Sequence, residues 1–170
     1  MATPAAAESR ASLWLRERLI LEWLVGAGGW RAALGGDSLR PGFSSFAGGT
    51  ELTLGLDVVG PLGIVVDGRF LAGSESGGTY YEATGALGVQ IRVASRVRLR
   101  LCGVGGQVQL VNNSATVAGG FLAGSFTLFE LGRSLVTVLG ARLDLDALLG
   151  AQRPLPGQSL AFSLGLGFYY

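Results

Sequence analysis

The chain has 170 residues, hydrophobic types at 49%, charged types at 15% and a mean hydropathy of +0.45, so it is too apolar for disorder and the right length for one domain. All 13 basic residues are arginine and histidine is absent, which removes imidazole bases, histidine metal ligands and the usual serine or cysteine triads. A single cysteine, Cys102, excludes an internal disulfide or a zinc cluster, and a net charge of +1 leaves no footprint for nucleic acid.

Glycine numbers 29 and proline 5, without a collagen period, so the glycine belongs inside ordered structure. A bilayer-spanning helix needs about 18 apolar residues in a row. The one long uncharged span, Leu101 to Phe129, is broken by Gln107, Gln109, Asn112, Asn113 and Ser114. The remaining membrane-compatible solution is a closed barrel, in which every backbone polar group is paired.

In chain order, residues 1–18 are expected to form a mobile tail or a short helix, and residues 19–170 the barrel. Leu19 to Leu34 reads as a first strand, although Leu13 to Leu24 is also compatible with an amphipathic helix capped by Ser12. From Thr50 the pattern has period two. Leu52, Leu54, Leu56 and Val58 share one face, Glu51, Thr53, Gly55 and Asp57 the other. Gly60-Pro61-Leu62-Gly63 is a turn, after which Ile64, Val66, Gly68, Phe70 and Ala72 oppose Asp67 and Arg69.

Gly77-Gly78 opens a run in which Tyr81 to Val93 alternates with Glu82, Gln90 and Arg92. After a Ser95-Arg96 turn, Val97, Leu99 and Leu101 oppose Arg98, Arg100 and Cys102. The parity of Gln107, Val108, Gln109 and Leu110 is then reversed, and a bulge assisted by Gly103, Gly105 and Gly106 is expected. Leu122, Gly124, Phe126 and Leu128 form the apolar face of the next run. Leu135 to Ala147 follows with Val138, Gly140, Arg142, Asp144 and Asp146 opposite, then a loop from Gly150 to Gln158. The last run sets Leu160, Phe162, Leu164, Leu166, Phe168 and Tyr170 against Ala161, Ser163, Gly165, Gly167 and Tyr169.

Seven runs after residue 45 and one before it make eight, an even number that returns both termini to one side. One set of faces holds Arg69, Arg92, Arg98, Arg100 and Arg142 against Glu51, Asp57, Asp67, Glu82, Asp144 and Asp146; the other set carries essentially no charge. A cation facing mid-bilayer costs about 2–4 kcal/mol, so the uncharged faces are assigned to lipid. The expectation is all-β: a closed up-and-down antiparallel transmembrane β-barrel of eight strands. Its bore is filled by an ion network, with Arg98 and Arg100 pairing to Glu82 or Asp57 and inner-face Gly55, Gly88, Gly140, Gly165 and Gly167 making room for the arginines. Phe70 and Tyr81 are placed at one rim, Phe168 and Tyr170 at the other, as interfacial girdles.

These residues, and above all the terminal run from Leu160 to Tyr170 with its final aromatic, resemble the small eight-stranded outer-membrane barrels of Gram-negative bacteria, the class of the OmpA membrane domain. The resemblance implies an outer-membrane location, membrane lipid as surroundings, and an assembly signal at Phe162, Leu164, Leu166, Phe168 and Tyr170 read by the barrel-assembly machinery. The loops on the presumed outer side, such as Gly35 to Ser45, Gly73 to Gly78 and Asn112 to Thr116, are short for the class, which argues against a receptor or adhesin. Lipid A modifying barrels of this size use a histidine that this chain lacks, so no catalytic residue, metal or cofactor is assigned.

Asp144 and Asp146 are read as part of the ion network with Arg142 rather than as metal ligands, and Cys102 as a packing residue. Residues 1–12 lack the basic and apolar regions of a leader. Met1 is therefore read as an initiator on a mature sequence. The expected role is structural or interactive, as a monomer. The two alternatives are a narrow gated pore and a soluble ligand-carrying barrel of inverted parity.

Overall fold

The computed structural model describes residues 18–33, 47–75, 78–109, 114–149 and 155–170. Eight strands follow one another as β1 (Leu19–Ala33), β2 (Ala47–Val59), β3 (Leu62–Glu75), β4 (Gly78–Ala94), β5 (Val97–Gln109), β6 (Ser114–Glu130), β7 (Leu135–Leu149) and β8 (Leu155–Tyr169). Each pairs antiparallel with its sequence neighbour, and β1 pairs with β8, so the sheet closes. The chain ends are tied together: Leu19 and Tyr170 exchange backbone hydrogen bonds of 2.7 and 2.8 Å.

The period-two pattern becomes an inside and an outside. Leu52, Leu54, Ile64, Val66, Leu87, Val89, Leu101, Leu122, Leu143 and Leu164 are exposed on the outer surface, while Thr53, Asp67, Arg69, Arg100 and Arg142 are buried in the bore. Among the residues whose side chains are described, none that points outward from a strand is charged. This parity is opposite to the one a soluble carrier with an apolar bore requires.

Hairpins at the end bearing the termini are tight, and each has a register irregularity beside it: between Asp57 and Val59, Arg92 and Ala94, and Thr127 and Phe129. Gly60 turns the first of them with φ of 56°, in the left-handed region that favours glycine. The third irregularity displaces Leu128, expected on the outer face, to intermediate exposure and presents Phe129 instead. We call this the turn end, and the opposite one the loop end.

Several boundaries differ from expectation. Leu19 onward is a strand rather than the end of a helix, whereas residues 1–17, with Ser12 and the start of the alternative helix, lie outside the described residues. Strand β8 begins at Leu155, inside the expected loop, with Pro156 opposite Ala147. β3 and β4 likewise reach Glu75 and Gly78, and β6 starts at Ser114.

The expected bulge near Gly103–Gly106 is absent. Strand β5 keeps one register from Arg98 through Gln109 against both neighbours. Val104 and Val108 continue the inward face of Arg98, Arg100 and Cys102, and Gln107 and Gln109 point outward. What inverts at the loop end is the polarity of the two faces, not the backbone. Val108 packs inside with Ala47 and Val117 and against Leu71, an apolar layer on the loop-end side of the charged one.

Phe70 and Tyr81 stack on adjacent strands with centroids 6.2 Å apart, toward the loop end of the outer surface. Phe129 and Tyr170 are exposed at the turn end, while Phe168 is half-buried.

Candidate functional site in the barrel interior

Alternation delivers each inward side chain to the bore, and register decides which of them meet. Arg142 on β7 reaches across to β2 and β3: its Nη1 donates to Glu51 Oε2 at 3.2 Å and to Asp67 Oδ1 at 2.8 Å. Its Nε donates to Asp144 Oδ1 at 2.8 Å, two residues along the same strand. Arg69 on β3 crosses in the other direction to Asp144 Oδ2, 2.7 Å away. Two guanidiniums therefore share Asp144, and three carboxylates share Arg142.

Arg100 on β5 forms the second tie. Its Nη2 lies 3.5 Å from Glu22 Oε2, and its Nη1 3.6 Å from Glu51 Oε1 and 3.9 Å from Asp67 Oδ2. It also donates to Thr53 Oγ1, whose own hydroxyl donates to Asp67 Oδ2 at 2.8 Å. The partners expected for Arg100, Glu82 or Asp57, are not the ones it meets. Long side chains projecting from opposite walls meet in the middle of a narrow bore, so cross-bore height matters more than strand adjacency.

Arg98 meets a ring: its guanidinium carbon lies 4.0 Å from the Tyr169 centroid. Arg142 covers Phe121 similarly at 3.6 Å, so two of the buried arginines have an aromatic face against them. Asp57 accepts from Gln90 Nε2 at 2.8 Å. Arg92, expected in the interior, lies at the turn end with its side chain 38% exposed, 3.9 Å from Asp57. Glu82 is buried and Asp146 half-buried toward the loop end, and neither is without a partner.

The sequence reading missed Glu22, which is 1% exposed. It accepts from Tyr169 Oη at 2.8 Å and from Ser125 Oγ at 3.1 Å, joining β1 to β8 and β6. Inward Ile20 and Leu24 flank it, so the stretch from Leu19 to Val25 shows no alternation except for Glu22 itself. One carboxylate in a run of apolar residues was the available signal.

The inner glycines do not make space for arginine. A Cβ on Gly55 would lie 2.6 Å from Gln90 Oε1, and one on Gly167 2.9 Å from a Val138 methyl. Gly88 faces Cys102, Gly140 faces Ser163 and Leu24, and Gly165 faces the Trp23 backbone. The close neighbours are side chains and backbone of adjacent strands, not guanidiniums.

The bore is filled. A void of about 20 Å³ beside Glu51, Arg69 and Arg142 has room for about one water. Apolar clusters occupy the rest: Val65, Ala86, Cys102, Val104, Phe121 and Ala123 on one wall, and Leu24, Val136 and Val138 against Tyr169 on another. Among the described residues no cluster of acidic or cysteine side chains is arranged to hold a metal.

No protein-family model matches the chain, and no characterised protein matches it by sequence. Solved structures are similar to it. Neisserial surface protein A aligns with a TM-score of 0.54 at 13% identity, over 89% of this chain and 97% of that one. Ail, the attachment invasion locus protein of Yersinia pestis, in complex with the heparin analogue sucrose octasulfate, gives a TM-score of 0.51 at 12% identity, over 89% and 99%. A backbone structure of the Yersinia pestis outer membrane protein Ail in a phospholipid bilayer nanodisc gives 0.45 at 10% identity, over 88% and 99%. With an apolar exterior and charges confined within, the chain has the fold of the small outer-membrane proteins: a closed, all-antiparallel transmembrane barrel of eight strands.

Proposed function

We propose that this chain is an outer-membrane barrel with a plugged polar interior, acting as a structural or interaction protein rather than as a catalyst or an open channel. The observation that carries the reading is the set of cross-bore ties from Arg69, Arg100 and Arg142, roofed by Ala47, Val108 and Val117. Ions entering from either end meet buried ion pairs or a hydrocarbon layer, both costly to displace. Membrane lipid is the surrounding partner, and the protein works as a monomer.

The outward row of β8 supports a further part of the reading. Phe162, Leu164 and Tyr170 are exposed, with Leu166 and Phe168 half-buried beside them, which leaves this face of the last strand open to the barrel-assembly machinery before insertion is complete. Residues 1–18 are assigned as a tail preceding the barrel.

Planar-bilayer recording of the refolded chain tests the plug. The expected result is no conductance above background. Steady picosiemens-scale openings that vanish when Arg142 or Asp144 is replaced would establish the narrow gated pore instead.

A further inference from the structure

We propose that the turn-end mouth of the bore binds a small oxyanion of the phosphate class between Arg92 and Arg98. These two residues are register partners on β4 and β5 and share the inward face. Directly opposite residues of an antiparallel pair have Cβ atoms about 4.5–5.5 Å apart, and like charges held in this way are destabilising. An anion between the two guanidiniums turns that repulsion into attraction.

The protein itself supplies little counter-charge here. Asp57 Oδ2 lies 3.9 Å from Arg92 Nη2, a loose pair, and Asp57 Oδ1 already accepts from the Gln90 amide at 2.8 Å. Arg98 is 5% exposed, yet among the described residues it makes no ion pair, and its Nε is buried without a hydrogen-bond partner. The Glu22 carboxylate is committed to Tyr169, Ser125 and Arg100. A guanidinium withdrawn from water without a compensating charge is costly to hold.

The geometry leaves the donors available. Arg98 is the second residue of β5, and its guanidinium carbon lies over the ring of Tyr169, the last residue of β8. Arginine resting on an aromatic face keeps its in-plane N–H groups for an acceptor. Arg92, with its side chain 38% exposed, gives the approach from solvent. Two neighbouring guanidinium forks match an ion with several acceptor oxygens. The pair stands apart from the cross-bore ties of Arg69, Arg100 and Arg142, so a ligand at the mouth leaves the plug in place.

The full chain is folded in octyl glucoside micelles, which carry neither charge nor phosphorus, and folding is verified by the mobility shift between unheated and heated samples. Isothermal calorimetry then follows inorganic phosphate exchanged for chloride at constant ionic strength. The expected result is saturable uptake of a single phosphate per chain. Arg98→Gln should weaken it by about 10- to 100-fold, and Arg92→Gln should weaken it too. Arg133→Gln removes the same charge from the exposed β6–β7 turn and should leave the affinity unchanged. Phosphatidic acid added to the micelles identifies the source: displacement of inorganic phosphate by stoichiometric lipid assigns the site to a lipid headgroup, and no displacement assigns it to a soluble phosphate. No saturable uptake of inorganic phosphate, an undiminished affinity in Arg98→Gln, or an equal loss in Arg133→Gln overturns the proposal. Should Arg98→Gln not fold, Arg92→Gln decides, and full affinity there overturns it.

Discussion

Tyr169 donates its hydroxyl to Glu22 Oε1 at 2.8 Å, linking residues 147 positions apart in the chain. Both lie on the two strands that close the barrel, and the Arg98 guanidinium covers the opposite side of this contact by sitting on the Tyr169 ring. Replacing Tyr169 with Phe keeps the ring and removes the donor. We expect a loss of about 1–3 kcal/mol, read as a lower urea midpoint for the heat-sensitive mobility shift. An unchanged midpoint would show that the seam does not depend on this bond.

Arg142 makes ion pairs with three carboxylates of the bore, Glu51, Asp67 and Asp144, all within 3.2 Å. Arg142→Met leaves those carboxylates facing one another and should cost about 3–5 kcal/mol. A double-mutant cycle with Asp144→Asn should show coupling of about 0.5–3 kcal/mol, because Asn needs no counter-charge. Strict additivity would mean that the pair interacts too weakly to tie β7 to the opposite wall.

The outer face should reject charge according to depth. Leu101→Arg, placed between Val89 and Leu122, is expected to destabilise the folded state by about 2–4 kcal/mol. Gln107→Arg, on the same face of the same strand near the loop end, should cost no more than about 1 kcal/mol. Equal costs would contradict a lipid-facing β5. Vesicle titrations in urea compare the two directly.

Gly55 and Gly68 sit three positions from being cross-strand partners and face opposite ways. A methyl at Gly55 would press on the Gln90 amide, which is itself held by Asp57, whereas one at Gly68 meets nothing within 4 Å. Gly55→Ala should therefore cost about 1–3 kcal/mol. Gly68→Ala should be neutral or stabilising by up to about 1 kcal/mol.

Cys102 is buried among Val65, Ala86, Val104, Phe121 and Ala123, on the inner wall. A water-soluble maleimide should leave the folded protein unlabelled and react fully once the sample has been heated in detergent. Mass spectrometry distinguishes the states. Rapid labelling before heating would place the thiol in an aqueous bore.

The strand count, closure and inside–outside parity were legible because charge marks the inner face from Glu51 onward. Period two is enforced by two solvents, so every Asp and Arg in those strands reports its own direction. Where inner residues are apolar, that report fails. Ile20 and Leu24 hide the alternation of β1 and with it Glu22, and Val108 beneath Gln107 and Gln109 imitates a slip of register in β5. Toward the loop end of β5 the outward side chains are Gln107 and Gln109 while the inward ones, Val104 and Val108, are apolar. Pairing inside the bore was less legible than direction: Arg100 meets Glu22, Glu51 and Asp67 because of height along the axis, and height depends on the stagger of all eight strands at once.

The hydrogen bonding of β1 to β8 has a kinetic corollary. Every other adjacent pair of strands is a hairpin and can form from local encounter, but this seam joins the first strand to the last and closes a loop of nearly the whole chain. Any nascent species lacking it carries two free edges, each a template for another molecule. We expect completion of the cylinder to come last, and a truncation inside the final strand should yield aggregates or chaperone-bound chains rather than a smaller pore.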